Sequence, residues 1–314
     1  MNSIIRLQKY SVMGVLISVL ILLSGCSDND VSGPGENPGT NNLMETIKSD
    51  AGLTILEELL EGTSLKTILE SNGDITVFAP TDAAFQKLPA GYLESLNIDQ
   101  KKSLLEYHAF QGSYRIINEI KKEAIVTMQG DPLFLEIGQS FGNLINNRSR
   151  FVKNNTEADN GILHTIDEVL IPDQMGTLFD NIHKRYEYKN FAARLETAEL
   201  GDMLKAPGTK TLLTTSDIAL DRYESVENMN LSDAEWKEIM QYHVIAMDIT
   251  GTGPGTKIAL PTVHQDSVYL VVDQPGEFLI NGGGGSPVQQ VLSTNGKIVL
   301  PSGIMLPDKF LGVL

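Results

Sequence analysis

The sequence predicts an α+β protein built from two tandem copies of one domain. Runs with helical periodicity alternate along the chain with short runs of β-branched and aromatic residues, which is the pattern of mixed helices and strands. A strand–stop–helix segment at residues 76–85 recurs at residues 211–220 with the same order of hydrophobic and polar residues. This offset of 135 residues predicts two homologous units.

The first copy of the segment contains all the signals of a strand that ends abruptly before a helix. Thr76 to Phe78 are β-branched or aromatic and suit a half-buried strand. Pro80 cannot donate to a sheet and should end that strand. Thr81 or Asp82 should then accept a hydrogen bond from the first turn of a helix that continues through Phe85.

The elements around this segment follow in order. Leucines between residues 43 and 69 recur at helical spacing, and Gly62 is expected to separate two short helices. Asn97 and Gln100 form a capping-box pattern that should start another helix. Short β-like runs interrupted by turn residues then fill residues 124–145, and Asn160-Gly161 indicates a turn before a final apolar strand.

The offset of 135 holds throughout the repeated region. Its landmarks are Asp82 with Asp217, Asn97-Gln100 with Ser232-Glu235, Tyr107-His108 with Tyr242-His243, Asn160-Gly161 with Asn295-Gly296, and Pro172 with Pro307. We therefore predict domain 1 at residues 43–173 and domain 2 at residues 174–314, with hardly any linker.

The N-terminus predicts a lipoprotein signal peptide at residues 1–25. Positive residues precede an apolar run that is too short to span a bilayer. The run ends in Leu23-Ser24-Gly25-Cys26, which resembles a bacterial lipobox, and Cys26 is the only cysteine. We expect Cys26 to carry the lipid, palmitate included, that anchors the protein. The alternative is an ordinary secreted protein with a leftover thiol.

Residues 26–42 are predicted to be a flexible spacer. Gly, Pro, Ser and Asn dominate this stretch, and apolar periodicity is missing. The acidic residues Asp28 and Asp30 directly follow Cys26 and resemble a signal for display on the outer face of the outer membrane. The alternative is a simple polar tether.

The net charge of −16 argues against nucleic-acid binding, because that function needs a basic surface. A solvated acidic surface explains this charge without a specific partner. Membrane contact is expected through the lipid anchor only.

Three motifs in domain 1 resemble those of the fasciclin domain: residues 76–85, the pair Tyr107-His108, and residues 160–172. The resemblance implies a wedge-like β-sandwich flanked by short helices, and a family role in cell adhesion or surface attachment. Domain 2 resembles a degenerate copy, in which Thr215, Val299 and Ser302 stand at the positions of Pro80, His164 and Asp167.

The resemblance makes Tyr107, His108, Tyr242 and His243 the candidate binding residues, since a Tyr-His region of animal fasciclin proteins is linked to integrin binding. The alternative is that these residues end a helix and satisfy buried backbone groups. A second integrin-linked Asp-Ile motif would fall on Asn155-Thr156 and Gln290-Val291, and neither matches. Integrin binding is therefore not carried over.

The remaining polar residues predict no catalytic site, no metal site and no cofactor. Asp82 and Asp217 are explained by helix capping, and His164 by a satisfied position in the core. The five histidines have no metal-ligand spacing. Ser267, in Asp266-Ser267-Val268, resembles a bacterial O-glycosylation acceptor.

The sequence thus favours a surface-anchored adhesion or binding module whose partner is an unidentified extracellular protein or glycan. An accessory component of an outer-membrane nutrient (glycan) uptake assembly is the alternative, and a neighbouring gene for a porin-like transporter would favour it. An enzyme is disfavoured because the sequence shows no catalytic constellation.

Overall fold

The computed structural model describes residues 41–117, 119–138, 140, 142–226, 231–249, 257–274, 277–280, 290–300 and 303–311. These residues belong to one compact unit, residues 40–314. The signal peptide, Cys26, all but the last two residues of the spacer, and the Gly282–Gly285 run lie outside the described residues.

Domain 1 combines short helices with seven strands among the described residues. Its helices are α1 (Leu43–Lys48), α2 (Thr54–Leu60), α3 (Ser64–Glu70), α4 (Asp82–Phe85), α5 (Tyr92–Ser95) and α6 (Ile98–Glu106). Its strands are β1 (Ile75–Pro80), β2 (Ala109–Gln111), β3 (Lys121–Val126), β4 (Pro132–Ile137), β5 (Leu144–Ile145), β6 (Ser149–Ala158) and β7 (Gly161–Ile166). The strand order is β2-β1-β7-β6-β5-β4-β3.

A 3₁₀ turn at Asp173–Met175 spans the predicted domain boundary, and a second 3₁₀ turn, Tyr186–Tyr188, lies in domain 2. Its helices are α7 (Leu178–His183), α8 (Lys189–Thr197), α9 (Gly201–Lys205), α10 (Asp217–Val226), α11 (Asp233–Tyr242) and α12 (Asp308–Leu311). Its strands are β8 (Lys210–Leu213), β9 (Val244–Ile245), β10 (Lys257–Pro261), β11 (Ser267–Gln274), β12 (Glu277–Ile280), β13 (Gln290–Ser293) and β14 (Gly296–Val299). They form two sheets, ordered β13-β14-β8-β9 and β10-β11-β12.

The strand register confirms the internal repeat. In domain 1, β1 runs parallel to β7 and Ile75 faces Gly161. In domain 2, β8 runs parallel to β14 and Lys210 faces Gly296, which is the same pair displaced by 135 residues. The two domains therefore share one topology around their central strands.

Each domain has two hydrophobic layers, which confirms the predicted combination of a sandwich and flanking helices. In domain 1, Ile75 and Val77 of β1 pack against the helices, whereas Phe78 packs with Leu135 and Ile145 from the other half of the sheet. All of β1 is buried for this reason. In domain 2, Leu212 lies in the helical layer, and Leu213 faces the three-stranded sheet.

The strand–stop–helix segment forms as predicted except for the role of its aspartate. Pro80 is the last residue of β1, and Thr81 Oγ1 accepts a hydrogen bond from the backbone N–H of Ala84 in α4. Of the two predicted capping residues, Thr81 therefore caps α4. Asp82 caps a different helix: its carboxylate accepts from the hydroxyl of Thr54 at 2.7 Å and from the backbone N–H of Ile55 at 2.9 Å, in the first turn of α2.

Asp217 has the same role in domain 2, where it accepts from the backbone N–H groups of Asn190 and Phe191 at the start of α8. A carboxylate near free N–H groups stabilises a helix N-terminus whichever element carries it. These aspartates therefore fasten the helical layer to the sheet.

The helical region before β1 contains three helices rather than the predicted two. Gly62 separates α2 from α3, as expected. A second break lies between α1 and α2, where the Asp50 carboxylate accepts from the backbone N–H of Gly52 at 2.9 Å. This local turn competes with helix formation, and leucine spacing alone does not reveal it.

Candidate functional site

The Tyr-His pair of domain 1 lies at the C-terminal end of α6 and is buried. The His108 side chain has 3% of its surface exposed. Its Nδ1 atom lies 2.8 Å from the Leu104 carbonyl, and its Nε2 atom accepts the backbone N–H of Leu170 at 2.9 Å. Because Nε2 is an acceptor, Nδ1 carries the proton and donates to Leu104. The neutral ring thus ties α6 to the segment that follows β7.

His243 makes the same link in domain 2. Its Nδ1 atom donates to the Ile239 carbonyl at 2.8 Å, and its Nε2 atom accepts the backbone N–H of Met305 at 3.1 Å. Burial lowers the pKa of His108 and of His243 to about 4, against an ordinary value of 6.5. Both rings are therefore neutral near pH 7.

The two tyrosines of the pairs also bond to backbone within their own domain. The Tyr107 hydroxyl donates to the Pro132 carbonyl at 2.9 Å, and the Tyr242 hydroxyl donates to the Ser267 carbonyl at 3.1 Å. Tyr107 is fully buried, and 2% of Tyr242 is exposed. Tyr107, His108, Tyr242 and His243 are thus inaccessible to a partner of the folded protein, and the geometry favours their structural role.

His164 lies inside the sandwich of domain 1. Its Nε2 atom donates to the Tyr114 carbonyl at 2.8 Å, and its Nδ1 atom accepts the backbone N–H of Asn155 at 3.2 Å. The ring stacks on Phe78, and burial lowers its pKa to about 4. Both nitrogens are used in the core, as expected of a satisfied core histidine.

The Asn-Gly pair does more than form the turn that the sequence predicts. The Asn160 side chain accepts the backbone N–H of Leu43 and donates to the carbonyls of Leu69 and Ser71. It therefore fixes the start of α1 and the end of α3. Asn295 contacts Leu178, Leu204 and Ala206 in the same way in domain 2. The repeat of Asn-Gly at one offset was the available sequence signal for this shared role.

Gly161 permits the close approach of β1 and β7. A Cβ atom at this position would lie 1.9 Å from the Ile75 carbonyl oxygen. At Gly296 it would lie 2.0 Å from the Lys210 carbonyl oxygen. Only glycine fits at these two positions.

A buried ionic cluster joins the two domains, and sequence reasoning missed it. The Asp173 carboxylate contacts Lys184 Nζ at 2.7 Å and the guanidinium of Arg185. Between 5% and 6% of each of these three residues is exposed. On the domain 1 side, the Asp131 carboxylate accepts the backbone N–H of Asp173 at 2.9 Å. The charges are paired, as burial requires.

Aromatic and ionic contacts extend this junction along β4. The Arg185 guanidinium lies 5.0 Å from the centre of the Phe134 ring, and the Tyr186 ring meets Phe134 edge-on at 5.8 Å. The buried Glu136 carboxylate lies 2.8 Å from Lys122 Nζ and 3.6 Å from Lys189 Nζ. Domain 2 therefore packs on the outward face of β4 through a basic and aromatic segment.

A cavity of about 260 Å³ lies beside this junction. Ile145, Leu170 and Phe179 supply apolar walls, and Arg148, His183 and Lys184 supply polar atoms. Most of the polar groups already have partners: Arg148 pairs with Glu168 at 2.9 Å, and Lys184 pairs with Asp173. The cavity is thus a cleft between the domains whose charges are neutralised internally.

Ser267 is the first residue of β11 and is half-buried. Its carbonyl accepts the Tyr242 hydroxyl and its neighbour Asp266 lies 3.1 Å from His264 Nδ1. Its O-glycosylation stays a prediction, as does lipidation of Cys26, which lies outside the described residues.

The part of the chain that the structure describes contains no group of three His, Cys, Asp or Glu side chains placed to hold a metal ion. In the same residues, no helix has the length and apolar character needed to cross a bilayer.

This chain is similar to known proteins in sequence and to a solved structure in fold. A protein of Synechocystis sp. is 33% identical over 132 residues, which are 41% of this chain and 97% of that protein. Human periostin is 27% identical over 209 residues, 65% of this chain but only 23% of periostin. The FAS1 domain pair of the insect cell adhesion molecule Fasciclin I has a TM-score of 0.53 at 16% identity, over 85% of this chain and 96% of that structure.

The model of the family described as "Fasciclin domain" matches residues 51–172 and again residues 186–301. These ranges lie one in each half of the internal repeat and cover most of the chain. Both halves contain the parallel central strands. Both also contain the hydrogen bonds of the Asn-Gly asparagine and the histidine link between a helix end and the segment after the last central strand. This chain therefore belongs to the fasciclin domain family.

Proposed function

We propose that this protein is a cell-surface binding module that mediates adhesion through its pair of fasciclin domains. The observation that carries the proposal is the match of both halves of the chain to this family, whose solved members include a domain pair from an insect cell adhesion molecule. The motif residues are used inside the fold, so the exposed surfaces are left for partner recognition.

The junction between the domains supports this role. Asp173, Lys184 and Arg185 are buried and paired, and Phe134 is covered by Arg185 and Tyr186. A junction of this kind resists bending, because opening it would expose paired charges and apolar rings together. The pair of domains then presents its surfaces in one fixed arrangement, which lowers the entropic cost of binding a large partner.

The N-terminal sequence supplies the attachment that an adhesion module needs. Cys26 would carry the lipid, and the polar spacer to residue 42 would separate the folded domains from the outer membrane. The sorting signal after Cys26 would place them on the cell surface.

The anchor is tested with Cys26→Ala in intact cells. We expect the variant to leave the membrane fraction, whereas Ser27→Ala, the matched control, should stay membrane-bound. Protease added to intact cells should digest the wild-type protein if it is displayed outside. A Cys26→Ala variant that stays fully in the membrane fraction would contradict lipid anchoring.

The binding role is tested by pull-down from intact cells with the anchored protein, followed by an adhesion assay of cells with and without the gene. Adhesion that is lost on deletion and restored by the wild-type gene, but not by Cys26→Ala, supports the proposal. Recovery of a porin-like transporter together with a glycan would instead support the uptake role. Turnover of a glycan or peptide by the purified protein would contradict a pure binding function.

A further inference from the structure

The cleft beside the domain junction is lined by three segments, and both domains contribute to it. The turn between β5 and β6 supplies Asn147 and Arg148, the chain after β7 supplies residues 168–171, and α7 supplies Asp180 and His183. Asn147 Nδ2 donates to the His183 carbonyl at 3.2 Å, which ties the turn to the end of α7. The cleft is therefore formed by the packing of two domains, a place where ligand sites preferentially occur.

The volume of the cavity, about 260 Å³, limits a ligand to one small ring. This volume is just below the range of about 300–1,000 Å³ that sites for drug-sized molecules span. At about 30 Å³ for each water of the liquid, the same space holds roughly nine water molecules. A folded protein segment or a chain of several sugar rings is too large to enter.

The apolar walls of the cavity are mainly aliphatic. Ile145 is fully buried and Leu170 is 3% exposed. Phe179 also lines the cavity, but its ring stacks on His183 with the ring centres 3.9 Å apart, and Lys205 Nζ lies 4.1 Å from its centre. The walls therefore suit the C–H groups of a saturated ring better than a flat aromatic ring, which would need a free aromatic face.

The charges around the cavity are balanced. Two cations, Arg148 and Lys184, and two carboxylates, Glu168 and Asp180, line it. Arg148 Nε lies 2.9 Å from the Glu168 carboxylate, so one cation and one anion already pair across the mouth. A ligand with a net charge would lose its hydration and meet like charges as well as opposite ones. The balance therefore favours a neutral ligand.

Three polar side chains of the lining keep unused hydrogen-bonding atoms. No described residue forms a hydrogen bond with Nη1 or Nη2 of Arg148, whose side chain is 74% exposed. Asn147 donates through Nδ2, and Asp180 accepts from Thr177 through Oδ2. The second oxygen of each side chain, Oδ1, has no donor among the same residues. One free group thus donates and two accept, and hydroxyl groups satisfy both kinds because they donate and accept.

We propose that this cavity binds a neutral pyranose sugar. The aliphatic walls contact the C–H groups of the ring. Arg148 donates to ring hydroxyls, and Asn147 and Asp180 accept from them. This inference rests on the proposed binding function and gives that function a ligand class and a site between the domains.

The test titrates glucose, galactose and mannose, each as the free sugar and as the methyl glycoside, into the isotope-labelled full chain that carries Cys26→Ala. We expect at least one sugar to give saturable changes in the NMR signals of Asn147, Arg148 and Asp180, with a Kd in the millimolar range typical of so small a ligand. Glucuronate, which adds a carboxylate to the glucose ring, should bind more weakly than glucose. Binding of the glycoside would identify the end of a glycan as the source, and binding of the free sugar alone would identify a soluble sugar.

Protein variants locate the site. Arg148→Ala should weaken sugar binding about tenfold, because a hydrogen bond from a charged donor is lost. Asn147→Gly should also weaken it, and glycine tolerates the φ of +57° at this position. Arg115→Ala is the matched control, because Arg115 is likewise exposed and ion-paired but does not line the cavity. Unchanged thermal unfolding of Arg148→Ala would show that its loss of binding is not caused by misfolding.

Three results would overturn the proposal. The first is the absence of saturable changes at the cavity with every sugar. The second is equal binding by Arg148→Ala and the wild type, and the third is tighter binding of glucuronate than of glucose. A chain that supports adhesion but binds none of the sugars would refute the sugar site alone. A chain that binds a sugar but does not support adhesion would refute the adhesion role alone.

Discussion

The backbone N–H of Leu170 donates to Nε2 of His108 across 62 positions of the chain, and Met305 donates to His243 across the same number. In both domains, the imidazole joins the end of a helix to the segment after the last central strand. His108 and His243, which their motif marks as candidate binding residues, therefore stabilise the fold of their own domains.

The first prediction concerns His108. His108→Phe keeps an aromatic ring of similar size but leaves the buried N–H of Leu170 without an acceptor. We expect the free energy of unfolding to fall by about 1–3 kcal/mol, measured by urea denaturation. If His108 only filled space, the variant would be as stable as the wild type.

The second prediction concerns pH. His108, His164 and His243 each have a pKa of about 4 in the folded protein, against 6.5 ordinarily. Between these values, the unfolded chain binds protons that the folded chain does not bind. The free energy of unfolding should therefore be highest above pH 6.5 and decrease as the pH falls toward 4, by up to about 3 kcal/mol for each histidine.

A variant isolates this contribution from that of the carboxylates. His164→Val introduces the residue that domain 2 has at Val299, and it removes one of the three titrating rings. The variant should lose less stability than the wild type between pH 7.5 and pH 5, in parallel urea denaturations. An identical loss in both proteins would show that His164 does not contribute.

Much of the fold could be predicted from the sequence because it depends on local signals that occur twice. Pro80, Thr81 and the Asn97–Gln100 capping box act where they were predicted to act. Asp82 has the predicted capping role, but its acceptor role depends on Ile55 of α2, which lies 27 residues earlier in the chain. Local pattern reveals that a carboxylate caps a helix, but not which helix.

The domain junction could not be predicted from the sequence, for a related reason. Asp173, Lys184 and Arg185 form no periodic pattern, and their pairing depends on the packing of two complete domains. The available signal was a difference between the copies, since Arg185 and Tyr186 replace Asp50 and Ala51. Residues that differ between two copies of a repeat often contact a neighbouring domain that only one copy has.

The third prediction concerns Gly161. Gly161→Ala places a Cβ atom 1.9 Å from the Ile75 carbonyl oxygen, so β1 and β7 must separate. We expect a loss of more than about 3 kcal/mol in the free energy of unfolding. Gly62→Ala is the matched control, because Gly62 has a φ of +77° but no atom within 4 Å of the added Cβ. It should cost only about 1–2 kcal/mol, and equal losses in both variants would contradict the steric explanation.

The fourth prediction concerns the domain junction. Arg185→Ala removes one of the two cations that neutralise the buried Asp173 and uncovers the Phe134 ring. Because an incompletely paired buried charge is costly, we expect a loss of about 3 kcal/mol and faster proteolysis between residues 172 and 190. Arg115→Ala is the matched control, since its ion pair with Glu157 is exposed and should contribute less than about 1 kcal/mol. If both variants lost equal stability and resisted protease equally, the buried cluster would not hold the domains together, and the fixed arrangement proposed for adhesion would lose its physical basis.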